Sequence, residues 1–168
     1  SRRQRQMCIR DSYQIVFSDT PGVLAPKYKL QESMLNFSEG ALVDADILLY
    51  VTDVVEDPAK NADFLAKVAK ETVPVLLVIN KIDLLDTPDD REYLDAVAYL
   101  YESIGYPVIR VSAATGEGTD TLKSVLDGKI TLFSGNSGVG KSTLINDLIP
   151  DLHLATAEIS AMHDTGMH

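Results

Sequence analysis

The chain has 168 residues, of which 45% are hydrophobic and 24% are charged, enough for one globular domain with its own core. The formal net charge of −10 argues against a broad nucleic-acid-binding surface. No apolar run reaches membrane-spanning length and no signal-like segment follows the basic first residues, so we expect a soluble, cytoplasmic monomer without membrane contact. The single cysteine, Cys8, excludes an internal disulfide and disfavours a zinc site.

The first motif follows two short strand-like segments, Arg5–Arg10 and Gln14–Phe17, whose spacing predicts a hairpin. The second segment runs directly into Asp-Thr-Pro-Gly. An Asp at the end of an apolar strand, with a Gly three residues later, can place a carboxylate near Mg²⁺ and a backbone N–H near a terminal phosphate. Asp19 and Gly22 are candidates for these roles, although the motif alone is a weak signal, since about one chance copy is expected in a chain of this length.

A helix and a buried strand are predicted next. Apolar residues recur at helical spacing over Lys27–Leu42. Ile47–Val51 is a continuous apolar run, as expected for a strand of a parallel sheet with both faces covered. Three acidic residues follow this strand, and we interpret them as a solvated loop without a metal site: Asp53, Glu56 and Asp57.

A second motif follows another buried strand. We predict a helix over Asn61–Glu71 and a strand over Pro74–Ile79, which leads into Asn-Lys-Ile-Asp. The carboxylate of Asp83 is suited to accept from the ring N–H and the exocyclic amine of guanine, and adenine is rejected because it would leave the carboxylate unpaired. Asn80 would steady a neighbouring phosphate loop, and the stem of Lys81 would lie along the base.

The third motif is a small turn at the end of a further strand. A helix is predicted over Arg91–Ser103 and a strand over Val108–Val111. This strand leads into Ser112-Ala113-Ala114, whose backbone amides are suited to bind the O6 atom of guanine. Alone the turn carries little information, but its position at a strand end after Asp83 makes it a candidate part of a base site.

The fourth motif is the most specific. After a predicted helix over Thr119–Leu126 and a strand over Ile130–Phe133, residues 135–142 match GxxxxGK[ST], and a predicted helix over Thr143–Ile149 follows. Glycines in such a loop let successive N–H groups face phosphate oxygens, and the helix start adds its positive dipole end. Lys141 would reach the terminal phosphates and Ser142 would hold Mg²⁺. Residues 151–168 show no sustained periodicity and are predicted to be largely irregular.

Together, the four motifs resemble the G domains of the translation-factor-related small GTPases. The resemblance implies a three-layer α/β P-loop domain with a six-stranded, mostly parallel sheet, in which only the strand at Arg5–Arg10 is antiparallel. Such domains normally begin with the phosphate loop, whereas here the motifs at Asp19, Asn80 and Ser112 precede Gly135–Ser142. The order predicts a circularly permuted GTP-binding domain that occupies the whole chain, residues 1–168.

The resemblance divides between two GTPase families. Residues 1 to about 77, including Lys29–Leu35, resemble the middle of the G domain of Era, a bacterial GTPase that binds ribosomal RNA. Residues from about 78 to 168, including Leu100–Pro107 and Gly128–Asn146, resemble RsgA (YjeQ), a GTPase of small-subunit maturation with a naturally permuted G domain. This division predicts an engineered, permuted chimera whose ends fall in the switch I segment.

The resemblance also implies ligands and site residues. GTP or GDP would bind with Mg²⁺, the metal being held by Ser142 and, through water, Asp19; Lys141 and the N–H of Gly22 would serve catalysis. The residues implied at the phosphates are Asn136, Ser137, Gly138, Val139, Gly140, Lys141, Ser142 and Thr143. Those implied at the guanine base are Asn80, Lys81, Asp83, Ser112, Ala113 and Ala114.

Departures from the family pattern predict slow hydrolysis. Val23 stands where many GTPases place the Gln that orients the attacking water. The Mg²⁺-binding Thr of switch I has no counterpart in register, since Thr156 and Thr165 are displaced. An alternative is therefore a scaffold that favours GDP and hydrolyses GTP negligibly. The RNA-binding KH domain of Era and the OB and zinc modules of RsgA have no counterpart in the sequence, so RNA or ribosome binding is not expected.

Overall fold

The computed structural model describes residues 7–10, 13–17, 45–70 and 72–154. The strands are β1 (Met7–Arg10), β2 (Tyr13–Phe17), β3 (Ile47–Asp53), β4 (Val75–Asn80), β5 (Val108–Arg110) and β6 (Ile130–Gly135). The α-helices in the described ranges are α1 (Ala62–Val68), α2 (Pro88–Ser103), α3 (Thr119–Leu126) and α4 (Lys141–Leu148). Short 3₁₀ turns lie at Pro58–Asn61, Ile82–Leu84 and Pro150–Leu152.

The six strands form one sheet in the order β1-β2-β6-β3-β4-β5. The β1–β2 pair is antiparallel, with Met7 opposite Val16, whereas the other neighbouring pairs are parallel. Because β6, β3, β4 and β5 are mutually parallel, their carboxyl ends meet at one edge, where open α/β sheets bind ligands. The predicted α/β class with a parallel sheet is confirmed.

Helices cover the central strands on two faces, since β3 is buried along its whole length. Successive side chains of a strand point to opposite faces. Leu49 and Val51 pack in a core cluster with Leu144 of α4 and with residues of α3, while Tyr50 packs in a second cluster with residues of α1 and α2. The result is three layers, which accounts for the continuous apolar run that marks β3 in the sequence.

Helices α1 and α2 differ in their bounds from the prediction. Helix α2 begins at Pro88, three residues before the predicted Arg91, because Thr87 caps it: its hydroxyl accepts from the N–H of Asp90 at 3.2 Å. The Asp90 carboxylate in turn accepts from the Thr87 N–H at 3.1 Å, which completes a capping box. Helix α1 begins one residue after the predicted Asn61, because Asn61 is the last residue of a 3₁₀ turn, and it ends at Val68, before the predicted Glu71.

Several predicted features lie outside the described residues. These are the helix over Lys27–Leu42, the Asp-Thr-Pro-Gly motif with Asp19 and Gly22, the neighbouring Val23, and the irregular segment from residue 155 onward. Within the described ranges, no helix combines the length and the apolar character needed to cross a membrane.

Candidate functional site

The phosphate loop, Gly135–Ser142, connects β6 to α4 at the ligand-binding edge of the sheet. Two of its glycines are required by close contacts. A Cβ on Gly135 would lie 2.2 Å from the carbonyl oxygen of Val51, and one on Gly140 would lie 2.4 Å from the side-chain amide nitrogen of Asn80. Gly140 also has φ of +88°, a conformation that costs other residues about 1–2 kcal/mol. The glycine spacing therefore lets the loop pass directly against its neighbours.

Helix α4 presents its first amides to the loop. Its first internal hydrogen bond runs from the Leu144 N–H to the Gly140 carbonyl at 2.9 Å. The N–H groups of Ser142 and Thr143 precede this bond in the first turn, where an α-helix supplies no acceptor of its own. Helix α4 therefore begins at Lys141 rather than at the predicted Thr143, and these amides and the helix dipole suit an anion.

Lys141 folds back over the phosphate loop. Its ammonium donates to the carbonyl of Gly135 at 2.9 Å and to the carbonyl of Asn136 at 2.6 Å. The two bonds hold a positive charge against the loop backbone. This placement is what charge-assisted binding of phosphate oxygens requires.

Asn80, at the end of β4, joins two of the predicted motifs. Its side-chain amide donates to the carbonyl of Val139 in the phosphate loop at 3.0 Å, and its side-chain oxygen accepts from the N–H of Ala113 at 3.0 Å. Asn80 is 2% exposed. The second motif thus links the phosphate loop to the small turn, whereas the sequence predicted only the contact of Asn80 with the phosphate loop.

Asp83 and Ser112 form a direct pair. The Ser112 hydroxyl donates to one carboxylate oxygen of Asp83 at 2.6 Å and accepts from the N–H of Thr115 at 3.1 Å. Ser112 is fully buried, whereas Asp83 is exposed. The buried hydroxyl therefore orients a carboxylate whose other oxygen, Oδ2, faces away from this bond.

The small turn differs in detail from the sequence interpretation. The amide of Ala113, which we expected to meet guanine O6, already donates to Asn80. Ala114 is exposed. A guanine oxygen at this position would accept either from the Ala113 N–H, which would then donate to both the base and Asn80, or from the N–H of Ala114.

Asp53 is a site residue that the sequence interpretation missed. It is 8% exposed, and its carboxylate accepts from the Lys81 ammonium at 2.6 Å. Its other oxygen accepts from the N–H groups of Val55 and Glu56 at 3.0 and 2.8 Å. The Lys81 ammonium also donates to the carbonyl of Gly138 at 2.7 Å. Asp53 therefore fixes Lys81 over the phosphate loop, and the prediction of a solvated loop was wrong at this residue.

Glu56 also departs from the solvated-loop interpretation, while Asp57 fits it better. One oxygen of Glu56 accepts from the side-chain amide of Asn136 in the phosphate loop. Asp57 is exposed and accepts from the N–H of Ala59, which caps the 3₁₀ turn. The available sequence signal for Asp53 was its place at the end of a buried strand, which it shares with Asn80. The adjacency of β3 to β6 was not readable from the sequence.

Two predicted site residues, Asp19 and Gly22, lie outside the described ranges. Among the residues that the structure describes, no cluster of three or more His, Cys, Asp or Glu side chains could hold a metal ion. Ser142, in the first turn of α4, is the described residue from the predicted metal pair.

Comparison with known proteins gives a family match. The family profile described as RsgA GTPase matches residues 32–168. RsgA of Bacteroides fragilis strain YCH46, a small ribosomal subunit biogenesis GTPase, is 55% identical over 105 residues, covering 62% of this chain and 34% of that protein. RsgA of Porphyromonas gingivalis strain W83 is 52% identical over 130 residues, covering 77% of this chain and 41% of that protein. The chain thus spans between about a third and two fifths of the length of these relatives.

Solved structures show the same likeness. YjeQ from Thermotoga maritima has a TM-score of 0.58 and 39% identity, covering 67% of this chain and 41% of that one. YloQ, described as a circularly permuted GTPase, has a TM-score of 0.53 and 31% identity over 66% of this chain and 39% of that one. Era from Aquifex aeolicus bound to GDP and AlF₄⁻ has a TM-score of 0.52 and 28% identity over 73% of this chain and 44% of its own. The profile match begins before the predicted changeover near residue 78 and continues to the end, and it shows that this chain belongs to the RsgA GTPase family.

Proposed function

We propose that the chain binds guanine nucleotides at the carboxyl edge of the sheet and hydrolyses GTP slowly with Mg²⁺. The observation that carries the proposal is the convergence of the base-reading motif on the phosphate loop. Asn80 bonds to the carbonyl of Val139, and Lys81 bonds to the carbonyl of Gly138. A nucleotide that spans the two motifs would have its base and its phosphates recognised by residues from different strands.

The phosphate side supports the proposal through the fit of the loop to an anion. Gly140 leaves space beside Asn80 that a Cβ would fill, and the ammonium of Lys141 lies against the loop backbone. The amides of Gly138, Val139 and the first turn of α4 would bind phosphate oxygens, with Ser137, Ser142 and Thr143 nearby. Mg²⁺, when bound by Ser142 and Asp19, would neutralise charge on the phosphate oxygens.

The base side supports a preference for guanine. Ser112 holds one oxygen of the Asp83 carboxylate at 2.6 Å, and the second oxygen can accept from a base. Guanine offers a ring N–H and an exocyclic amine to this carboxylate, whereas adenine would leave it unpaired. The aliphatic stem of Lys81, fixed at its end by Asp53 and Gly138, would lie along the base.

We propose that hydrolysis is slow and mainly electrostatic. Lys141, the loop amides and the N–H of Gly22 would stabilise charge that develops on the transferred phosphoryl group. No general base is assigned. The apolar side chain of Val23 cannot orient an attacking water molecule. We therefore expect turnover well below about one per second, which is the low end of the range for protein kinases.

A nucleotide titration tests the binding proposal. GDP and GTP with Mg²⁺ should bind, and ADP should bind on the order of 100-fold or more weakly, because a carboxylate built to pair with guanine is left unpaired by adenine. Asp83→Asn should shift the preference toward xanthine nucleotides, since the amide donates where the carboxylate accepted. Equal affinity for ADP and GDP, or an unchanged preference in Asp83→Asn, would contradict the proposal.

A second candidate function is a GDP-favouring binding module with negligible hydrolysis, which Val23 favours. Single-turnover assays with GTP, comparing the chain with Lys141→Ala, separate the two. Metal-dependent phosphate release that Lys141→Ala abolishes supports the enzyme. Phosphate release that is as slow in the parent chain as in Lys141→Ala supports the binding module.

We also propose that residues 1–168 form one circularly permuted G domain. The motif order in the sequence and the likeness to YloQ, described as a circularly permuted GTPase, support this. A single cooperative unfolding transition that GDP shifts as a whole would support one domain, and two separate transitions would contradict it. The predicted chimera is tested by sequencing the source DNA across the codons on either side of residue 78.

A further inference from the structure

A buried asparagine lies at the centre of a polar network beside the phosphate loop. Asn61 is fully buried, and its side-chain oxygen accepts from the Tyr50 hydroxyl at 2.7 Å and from the Asn136 amide at 3.2 Å. Its amide nitrogen donates to the hydroxyls of Thr52 and Tyr101, each at 3.2 Å. A primary amide can form four hydrogen bonds of this kind, so the capacity of the Asn61 side chain is fully used.

Glu56 completes the contact with the phosphate loop. One carboxylate oxygen accepts from the Asn136 amide, and the other accepts from the Thr52 hydroxyl at 2.9 Å. The amide nitrogen of Asn136 therefore donates to both Glu56 and Asn61. This side chain is directed to its neighbours in the network, while its backbone carbonyl accepts from Lys141.

We propose that Asn61 and Glu56 are positioning residues for the phosphate loop, and that Tyr101 of α2 acts on nucleotide binding through them. The path runs from the Tyr101 hydroxyl to Asn61, from Asn61 to Asn136, and from the Asn136 carbonyl to the ammonium of Lys141. This inference rests on the proposed function. It adds residues that none of the four sequence motifs contains.

Burial makes the network sensitive to the loss of any member. Thr52 and Tyr101 are 2% and 3% exposed, so a lost partner cannot easily be replaced by solvent. Burial raises the pKa of both Tyr50 and Tyr101 and the Glu56 carboxylate raises both further, while the hydrogen bond with Asn61 lowers the pKa of Tyr101. A tyrosine is protonated at neutral pH even without such shifts, so the Tyr50 hydroxyl is available there as a donor to Asn61.

The decisive comparison uses two Tyr→Phe variants. Tyr101→Phe removes a hydroxyl bonded to Asn61, whereas Tyr106→Phe removes a hydroxyl bonded to the carbonyl of Leu65 at 3.0 Å. Tyr106 packs against the same core cluster as Tyr101. Its backbone N–H donates to the carbonyl of Tyr101 at 3.1 Å, a bond that Tyr106→Phe keeps, whereas its hydroxyl bonds to Leu65 and not to the side chains of the network. Titration of the intact chain with GDP and Mg²⁺ should show affinity about threefold to tenfold weaker in Tyr101→Phe, the range of one net hydrogen bond, and unchanged affinity in Tyr106→Phe.

A double-mutant cycle tests whether the effect travels through Asn136. In an Asn136→Ala background the path from Asn61 to the loop is already broken, so Tyr101→Phe should cause no further loss of affinity. An equal loss in both backgrounds, no loss in either, or the same loss from Tyr106→Phe would overturn the inference. Protein stability is measured for each variant, because a purely structural role would lower stability without this dependence on Asn136.

A spectroscopic measurement separates the inference from the proposed function. In the unliganded chain, the side-chain amide NMR signals of Asn136 should shift in Tyr101→Phe and in Glu56→Gln, and should stay in place in Tyr106→Phe. If the parent chain bound no guanine nucleotide, the proposed function would fail, while these shifts would still support the positioning network. If the Asn136 signals stayed unchanged in both network variants, the inference would fail even with normal GDP binding.

Discussion

Two neighbouring loops at the ligand-binding edge of the sheet contribute different chemical groups. The phosphate loop follows β6, and the loop Asp53–Asn61, called here the β3 loop, follows the adjacent parallel strand β3. In the proposed function, the phosphate loop would offer backbone amides and the Lys141 ammonium to a nucleotide. The β3 loop offers side-chain acceptors to its neighbours: Asp53 binds Lys81, and both Glu56 and Asn61 bind Asn136.

The comparison teaches that a phosphate loop is supported from outside its own motif. Its glycines permit the required backbone path, but they do not select one path, because a glycine backbone has many accessible conformations. The bonds with Asn80, Lys81, Glu56 and Asn61 restrict the loop from two neighbouring segments, the end of β4 and the β3 loop. Preorganisation of this kind reduces the conformational entropy that the loop loses when a ligand binds. The predictions below separate what each loop contributes.

The largest effect is expected from the phosphate loop itself. Lys141→Ala removes the charge held against Gly135 and Asn136 and should lower the single-turnover rate on the order of 100-fold or more, the usual cost of a lost transition-state donor. Quenched-flow assays at saturating GTP would measure the rate. Lys129→Ala, whose ammonium bonds to the carbonyl of Val125 away from the loop, is the control. Similar rates in both variants would contradict the assignment.

The next effect is expected from the β3 loop. Asp53→Ala leaves Lys81 without its carboxylate and the N–H groups of Val55 and Glu56 without their acceptor. The free energy of unfolding should fall by about 3 kcal/mol, and GDP affinity should weaken about tenfold, as for one lost charge-assisted bond. Denaturant unfolding and calorimetric titration measure the two quantities.

The matched control for this loop is Asp57→Ala. Asp57 is exposed and bonds to the N–H of Ala59, so its loss should cost no more than a helix cap, about 1 kcal/mol. GDP affinity should not change. If Asp57→Ala weakened GDP binding as much as Asp53→Ala, the distinction between the two acidic residues would be wrong.

A loss of stability of similar size is expected where the phosphate loop meets β4. Gly140→Ala would place a Cβ 2.4 Å from the Asn80 amide nitrogen at φ of +88°, whereas Gly105→Ala at φ of +95° would meet no atom within 4 Å. Both variants carry the strain of a left-handed residue, about 1 kcal/mol or slightly more. The clash should lower the free energy of unfolding of Gly140→Ala by about 2 kcal/mol more than that of Gly105→Ala, and thermal unfolding of the two variants would measure this difference. Equal losses would show that the contact relaxes freely.

The smallest effect is expected at the start of α2. Thr87→Ala removes the acceptor for the Asp90 N–H and should lower stability by about 1 kcal/mol, with unchanged GDP affinity. Hydrogen bonds from the Thr87 side chain and backbone lower the pKa of Asp90 in the folded protein below its ordinary value of 3.8. The stabilisation is therefore complete above that value and is lost as the pH falls through the lowered one. Acid unfolding of Asp90→Asn should lack this part of the pH dependence. If the variant and the parent chain lost stability identically as the pH fell, this assignment would be contradicted.

Much of the site was predictable because its chemistry depends on local spacing. The glycines of the phosphate loop, Lys141, and the motif at Asn80 and Asp83 have spacing that few other functions need. The α/β class followed from buried apolar runs such as Ile47–Val51, which alternate with helical patterns. The start of α2 was less readable, because the helix was predicted from Arg91 and the capping box of Thr87 and Asp90 became apparent only in the structure.

Only the tertiary structure decided the roles of Asp53, Glu56 and Asn61. Their neighbours in the chain resemble any polar loop, and their partners Lys81 and Asn136 are 28 and 80 positions from Asp53 and Glu56, respectively. What unites them is the placement of β3 between β6 and β4. Local spacing in a sequence can specify which backbone conformations and ligand atoms are available, but strand order determines which side chains lie within hydrogen-bond distance, because that order is set by packing of the whole sheet.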